Sequence, residues 1–554
     1  MITLEMMPAL MFAGLVVFML IGYPAAFSLA AAGLFFGLLA IHLGFFEPTL
    51  LQALPQRVFG IMSNELLLAI PFFTFMGTIL ERCGLAEDLL DGMGQLMGPI
   101  PGGLGYAVIL VGAILGAVTG TVAASVIAMG VIALPAMMRY GYNLKYASGV
   151  IAASGTITQL IPPSLVLIVL ADQLGRSVGD MYAGAWGPSA IQVLLFMLYT
   201  FVLSLVRPQW MPPLPRSART LSGWPLVKRC LKGIVPSLAL IFLVLGTLLL
   251  GLATPTESGA MGAVGAILLA LLHSRHFSRT GRLAGVVALL ALAAVAIPGV
   301  LLMLAERFPQ LASDALANFY GVIKRPLYAL FYLCVIYLLL EAARIAELRG
   351  LIRQALGSTM RITSMVIFIL IGSTFFTLVF QGVNGSHWIE GLLTALPGGV
   401  IGFLVFVNVF IFVLAFFLDF FEIAFIVIPL LVPVAQALGI DLIWFGVLIC
   451  VNMQTSFMHP PFGFALFYLR GIAAKEVKSS DIYWGAVPFV LIQVLMVAIV
   501  IAFPQLVTIG LDKAEPIDPD KVEIIMPDED AAKPDAEDDP AKAIERFLER
   551  QLGK

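Results

Sequence analysis

Apolar runs follow one another along most of the chain. A helix needs about 20 apolar residues to cross a bilayer, and suitable runs lie near 8–22 (short), 24–44, 60–80, 144–174, 181–206, 233–251, 256–273, 283–304, 326–343, 362–380, 442–470 and 484–506. Two further stretches, 104–138 and 400–437, are too long for one crossing. Each carries small or polar residues in its middle, so each reads as a re-entrant hairpin. The pattern predicts an all-α polytopic membrane protein, with about twelve crossings plus two hairpins.

Composition excludes the main alternatives. Apolar residues make up 60% of the 554 and charged residues 12%, against roughly 45–50% and 25% in a soluble domain. A soluble globular enzyme, a disordered protein and a nucleic-acid binder are ruled out, and the lipid bilayer is the first partner. Residues 511–554 hold 14 acidic and 7 basic residues, and their prolines and charge keep them from burying a core. They form most of an acidic tail, 507–554, expected to be largely disordered. Cys83, Cys230, Cys334 and Cys450 are far apart, the five histidines form no HExxH, and neither a Walker loop nor a GxSxG is present. A membrane-embedded protease or lipid transferase therefore has no motif here, and no ATP site is visible. Met1–Met7 lacks the basic start of a signal peptide, so the first apolar segment is expected to stay in the mature protein.

Lysine and arginine mark the cytoplasmic side of a membrane protein. Arg207, Arg216, Arg219, Lys228, Arg229 and Lys232 mark a loop without acids; Arg275, Arg279 and Arg282 mark a second. Arg344, Arg349, Arg353 and Arg361 mark a third inside loop, and Arg470, Lys475 and Lys478 a fourth. Arg139 and Lys145 place the feet of the first hairpin inside. Thr254-Pro255-Thr256-Glu257 turns on the outside, with Glu257 reading as a helix N-terminal acid. Counting crossings puts both termini outside.

The halves of the chain match each other. Pro101-Gly102-Gly103 recurs as Pro397-Gly398-Gly399, and Pro135 before Gly141 recurs as Pro433 before Gly439. Ile161-Pro162-Pro163 recurs as His459-Pro460-Pro461, and Asp180-Met181-Tyr182 as Asp481-Ile482-Tyr483. Ile191-Gln192-Val193-Leu194 recurs as Ile492-Gln493-Val494-Leu495. An odd number of crossings separates the hairpins, so the second copy is expected upside down. Such inverted repeats with interrupted helices place a binding site near the midplane, between the copies. The organisation expected is scaffold helices 1–80, repeat 1 at 81–206, connecting and scaffold helices 207–361, repeat 2 at 362–506, and the tail.

Each Pro-Pro pair removes two N–H donors inside a span, and the freed carbonyls cannot face lipid. Around the first break sit Ser154, Gly155, Thr156, Thr158 and Ser164; around the second, Asn452, Gln454, Thr455, Ser456 and His459, then Gly463. The hairpin tips carry Thr119, Gly120, Thr121 and Ser125, and Asp419 and Glu422. Hydroxyls with free carbonyls suit a small hard cation, and half-helix N-termini suit a carboxylate. Thr119, Gly120, Ser154, Gly155, Thr156, Asp419, Asn452, Thr455 and Ser456 are the candidate cation ligands, with Asp419 expected opposite Thr455 and Ser456. Thr121, Ser125, Ser164, Glu422 and His459 are the candidate solute contacts. Plainer readings stand beside these. Gly112, Gly116 and Gly120, four apart, suit helix packing; Asp419 and Glu422 suit backbone N–H partners; His459 suits a hydrogen bond to backbone freed by Pro460.

These residues resemble the large membrane subunit of tripartite ATP-independent periplasmic (TRAP) transporters. The resemblance rests on Ile70-Pro71-Phe72-Phe73 with Gly77, Thr119-Gly120-Thr121, Gly155-Thr156 with Ile161-Pro162-Pro163-Ser164, and Thr254-Pro255-Thr256-Glu257. It continues in Leu418-Asp419, Gly439-Ile440-Asp441, Trp444-Phe445-Gly446 and Pro460-Pro461 with Gly463. It implies an elevator-type transporter of the ion-transporter superfamily, in a bacterial inner membrane and driven by Na+. It also implies a periplasmic substrate-binding protein and a small four-helix membrane subunit as partners, and a small organic anion, usually a carboxylate, as solute. Three features depart from the pattern: two extra spans within 283–343, Phe420 where proline often follows the aspartate, and His459 where a small polar residue is common. A stand-alone sodium/dicarboxylate symporter or sodium/proton antiporter of related architecture is the alternative; the Ser-Asn-Thr tips associated with such symporters are absent.

Overall fold

The computed structural model describes residues 3–511 apart from 289, 293, 295–313, 417, 461 and 462. The tail beyond 511, and the end of the expected span 283–304, lie outside the described residues. All regular structure among the described residues is helical. Side chains are distributed inside out. Thr156, Gln159, Gln454 and Thr455 are buried, whereas Phe242 is 76% exposed and Leu205 66%. In water the polar groups would be outside; hydrocarbon as solvent reverses the preference.

Among the described residues nine helices are long and apolar enough to cross a membrane, and up to eleven if each of two bent pairs is one span. The sequence pattern predicts about twelve. The difference lies partly in short and broken segments. Met7–Leu20 has only 14 residues, and the expected spans 144–174 and 442–470 are each divided into short helices. The expected span 60–80 is part of a bent pair, Pro48–Met62 and Glu65–Arg82, angled by 47°. Asn64 sits at the bend and accepts the Leu66 N–H at 2.9 Å.

Two expectations are corrected. Arg349, Arg353 and Arg361 do not form a loop; they lie on one continuous helix, Ala346–Gly382, of 37 residues. At 1.5 Å per residue it is about 55 Å long, well beyond the roughly 30 Å of hydrocarbon, so it extends past the membrane. No proline lies between Pro326 and Pro397 to stop it; the arginines mark a side of the membrane, not a break. The body also runs past the expected boundary at 506. Val507 is 1% exposed and fills the space left by Gly184.

Matching segments of the two halves fold alike. Gly102 (φ 78°) and Gly398 (φ 97°) open the first hairpin arms, Gly103–Thr119 and Gly399–Leu414. A left-handed backbone at these positions explains the glycines. Thr121 and Asp419 are the N-caps of the second arms, which begin at Val122 and Phe420. Gly141 and Gly439 then turn the chain at φ 77° and 67°. Asn143 and Asp441 cap Leu144–Thr156 and Leu442–Ser456 with their side chains. After the breaks the chain resumes as Leu165–Leu174 and Phe464–Ile472, and each half closes with a long helix, Val178–Val206 or Ser479–Ala502. The pattern also left unread a short helix before each hairpin, Leu85–Met97 and Gly385–Thr394, each entered through a left-handed residue, Gly84 or Asn384.

The halves interlock. Val122–Arg139 of the first packs on Phe464–Ile472 of the second, and Ile428–Ala437 of the second on Leu165–Leu174 of the first. Within the first half, Gly112 and Gly116 let the hairpin arm touch the broken helix. A Cβ on Gly112 would lie 2.7 Å from the Ser154 Cβ, and one on Gly116 3.0 Å from the Thr158 Cα. The packing reading of these glycines holds. At the matched positions the second half has Asn408, Phe412 and Phe416, so aromatic rings fill its interface.

Candidate functional site

The first break begins where Leu144–Thr156 tightens into a single 3-10 turn, Ile157–Gln159, and ends at Ser164. The Pro162–Pro163 peptide between them is cis. Side chains take up the carbonyls that the break frees. Ser164 Oγ donates to Gln159 O at 2.5 Å, and Cys450 Sγ donates to the same carbonyl at 3.3 Å. Ser189 Oγ lies 3.0 Å from Leu160 O and 2.6 Å from Ala185 O, sharing its one proton between them, and the Tyr182 hydroxyl donates to Ser164 O at 3.3 Å. Ser164 also caps the resumed helix by accepting from Val166 N–H at 3.2 Å.

Thr156 Oγ1 donates to Ala153 O at 2.8 Å and accepts from Gln493 Nε2 at 3.0 Å, which leaves it one lone pair. Ser154 Oγ is buried without a hydrogen-bond partner among the described residues. Gly155 lies against Val126, whose backbone N would stand 3.1 Å from a Cβ there, so close packing accounts for it. The hairpin tip reaches the restart of the helix: a Cβ on Gly120 would lie 3.7 Å from Leu165 Cγ. Thr121 is half-buried beside it and Ser125 is fully buried one turn on. The side chain of Thr119 lies outside the described residues. The structure thus gathers Gly120, Thr121 and the Ser164 cap at one place, and sets Ser154 and Gly155 against the hairpin arms.

At the second tip two carboxylates cap one helix start. Asp419 Oδ1 accepts from Glu422 N–H and Glu422 Oε2 accepts from Asp419 N–H, both at 2.9 Å. Such a reciprocal cap satisfies two backbone donors. Neither acid forms an ion pair among the described residues, and no lysine or arginine lies between Arg361 and Arg470. The helical turn they cap, Phe420–Glu422, packs on Leu165–Leu174 and on Ala346–Gly382, which places the second tip beside the first half's resumed helix. At the second break Thr455 Oγ1 donates back to Asn452 O at 2.6 Å and Ser456 Oγ to Met453 O at 2.5 Å. Asn452 Nδ2 reaches the hairpin, donating to Asn408 O at 2.8 Å.

His459 is 3% exposed. Its ring stacks on Phe416, centroids 3.8 Å apart, and meets the edge of Phe412 at 5.5 Å. Neither ring nitrogen has a hydrogen-bond partner among the described residues. Among the described residues the phenylalanines are what hold the ring.

The sequence pattern missed a set of buried amides: Gln159, Gln192, Asn408 and Gln493. The signal was present, because Gln192 and Gln493 occupy matched positions in the repeat. Apolar neighbours concealed their chemistry. Among the described residues no group of three His, Cys, Asp or Glu side chains is arranged to hold a metal ion.

A family model described as the DctM component of the tripartite ATP-independent periplasmic transporter matches residues 12–340 and 311–506. The chain is 27% identical over 501 residues to a C4-dicarboxylate TRAP transporter large permease protein from Vibrio cholerae, covering 90% of this chain and 96% of that protein. It is 23% identical over 484 residues to a sialic acid TRAP transporter large permease protein from the same organism, covering 87% and 93%. An isethionate TRAP transporter permease protein from Oleidesulfovibrio alaskensis, named DctMQ, is 24% identical over 501 residues, which are 88% of this chain and 64% of that protein.

Proposed function

The chain belongs to the DctM component family of tripartite ATP-independent periplasmic transporters, as a multi-pass large permease subunit, and from that premise we propose that it imports a small organic anion together with sodium ions. The relatives are named for C4-dicarboxylate, sialic acid and isethionate, and a carboxylate is the solute class this chain's site suits. A periplasmic binding protein delivers the solute. A small four-helix membrane subunit supports the permease.

The observation that carries the reading is the meeting of the two broken helices. Cys450, on the second, bonds Gln159 O at the first break, and Gln493 bonds Thr156 from the far repeat. Side chains of both repeats therefore converge on interrupted backbone, where transporters of inverted architecture hold solute and ions. Thr121 and the N-terminus of Leu165–Leu174 offer donors to a carboxylate. Hydroxyls and carbonyls offer neutral oxygens to sodium. The hairpin-bearing repeats move against the scaffold as an elevator, and the copies are inverted, with about twelve crossings and both termini in the periplasm.

Reconstitution tests the proposal. The permease with its small subunit, supplied with loaded binding protein, should accumulate solute in proteoliposomes only under an inward sodium gradient. Uptake unchanged in sodium-free, proton-only buffer would overturn sodium coupling. Uptake without the binding protein or small subunit would favour a stand-alone symporter.

A further inference from the structure

A polar face away from both helix breaks joins the entry of the first hairpin to two long helices. Asp88, Asp91 and Gln95 lie three and four residues apart on Leu85–Met97, so they share one side of it. Asp88 Oδ1 pairs with Arg229 Nη2 at 2.8 Å, and Asp91 Oδ2 lies 3.6 Å from the same nitrogen. Gln95 Nε2 donates to Asp91 Oδ1 at 3.0 Å, and its Oε1 accepts from Leu221 N–H at 3.1 Å. A guanidinium and a carboxamide keep their charge state across the physiological range. These bonds therefore tie the short helix to Trp224–Leu249 and its approach at any such pH.

The other oxygen of Asp88 faces a group that does titrate. His273 Nε2, at the end of Pro255–His273, lies 3.5 Å from Asp88 Oδ2, and the side chains are 27% and 14% exposed. Gly84 opens the short helix, and a Cβ there would lie 3.3 Å from His273 Nε2, so the glycine leaves the imidazole its room. The other charged and titratable groups nearby are spent or exposed. Arg82 donates to Gln354 Oε1, Cys83 Sγ to Leu80 O, and Glu341 Oε1 accepts from Ser278 N–H. Glu87 and Arg275 are exposed, and Glu81 forms no ion pair among the described residues. Two carboxylates against one guanidinium leave the cluster one negative charge in excess, which a protonated imidazole balances. The C-terminus of its own helix favours that charge; the start of the facing helix opposes it with about half a charge, against the full charge of Asp88. An imidazole gains its proton as pH falls through the near-neutral range. His276 makes a looser pair, Nδ1 3.7 Å from Glu347 Oε2, but both side chains are mostly exposed and water screens them.

We propose that Asp88 and His273 form a pH-sensitive fastener, which holds Leu85–Met97 to Pro255–His273 when the imidazole is charged. The short helix also packs on the hairpin arm Gly103–Thr119, so fastening it restrains the hairpin. The positive-inside expectation assigns this end of the molecule to the cytoplasm, where acidification then slows uptake. The proposal rests on the transport reading above and requires neither sodium nor a particular solute.

Two readouts test it. Hydrogen exchange of the purified complex, corrected for the chemical rate at each pH, reports protection of residues 85–97. Uptake is measured in proteoliposomes with loaded binding protein outside, which selects molecules whose periplasmic face is outward, while the lumenal pH is varied. Between about pH 8 and about pH 6, wild-type protection should rise and uptake fall, each by about two- to fivefold. His273→Gln should show the alkaline behaviour at both pH values and His273→Lys the acid behaviour at both, with His276→Gln like wild type. A flat wild-type profile, or a His273→Gln protein that keeps the response, would overturn the fastener. Protection that responds while uptake does not would overturn its control of transport. A complex without uptake at either pH defeats the transport reading, while exchange still decides the fastener. Should the His273 variants not insert, Asp88→Asn must abolish both responses, and a response that survives it overturns the proposal.

Discussion

Asp419 and Glu422 show how one residue holds a structural and a functional claim at once. Each accepts the other's backbone N–H, so the plainer reading of both as helix caps is satisfied. Capping uses one carboxylate oxygen of each, and the charge of two intramembrane acids still needs a partner. With no lysine or arginine between Arg361 and Arg470, a transported cation is the counter-charge that the reading of this site provides. Asn caps a helix as well as Asp, so Asp419→Asn should insert and bind its partner subunit normally. Sodium dependence and uptake should weaken together, read by sodium titration in proteoliposomes. A wild-type titration would assign Asp419 to the cap alone. His459 was legible as a buried polar residue; that its ring is held by stacking on Phe416 was not, because the partner lies 43 residues away.

At the scale of elements, the two hairpins share a sequence pattern and differ in how they pack. Membrane helices associate largely through close contact of small residues, and the first arm uses that device through Gly112 and Gly116. The second replaces it with Asn408, Phe412 and Phe416, filling the space with side chains. The two interfaces should respond to opposite changes. Gly112→Ala overpacks against Ser154 and should cost about 1–3 kcal/mol. Phe412→Ala leaves a void beside His459 and should cost about 3–5 kcal/mol. Gly350→Ala, where nothing lies within 4 Å of the added carbon, is the control. Melting of the detergent-solubilised protein ranks the three, and a Gly112→Ala protein as stable as the control would remove the close-contact account.

For the whole molecule, sidedness rests on the positive-inside expectation alone. Arg349, Arg353 and Arg361 lie on a helix, and that expectation assigns them to the inside. The inverted reading then makes a clear demand. Ala395 lies in the turn that enters the second hairpin and Arg139 at the foot of the first, both exposed. A membrane-impermeant thiol reagent applied from the periplasm should modify Ala395→Cys and leave Arg139→Cys untouched until the membrane is permeabilised. Equal modification of both from one side would show that the copies are not inverted. Across the same body, Asn64 Nδ2 donates to Asp172 Oδ1 at 2.7 Å, joining the bend of the scaffold to the first half's resumed helix. This contact would have to open if the repeats travel against the scaffold.

By itself the sequence determined the class of molecule, the places where the helices break, and the family. Those follow from apolar run length, from the position of proline and glycine, and from self-similarity, all of which are local or repetitive and so visible along the chain. The capping box at Thr254 and Glu257 was readable for the same reason: its partners are three residues apart, and the structure closes it at 2.9 and 3.3 Å. The tertiary structure decided which oxygens are free. Thr455 and Ser456 return their protons to their own helix, the carbonyls of the first break are answered by Ser164, Cys450 and Ser189, and Gln493 reaches Thr156 across 337 residues. A hydroxyl or amide in a sequence has the same donors and acceptors wherever it lies. Whether they are already spent depends on neighbours that only the folded chain brings near, which is why the breaks could be read from the residues and the glutamines beside them could not.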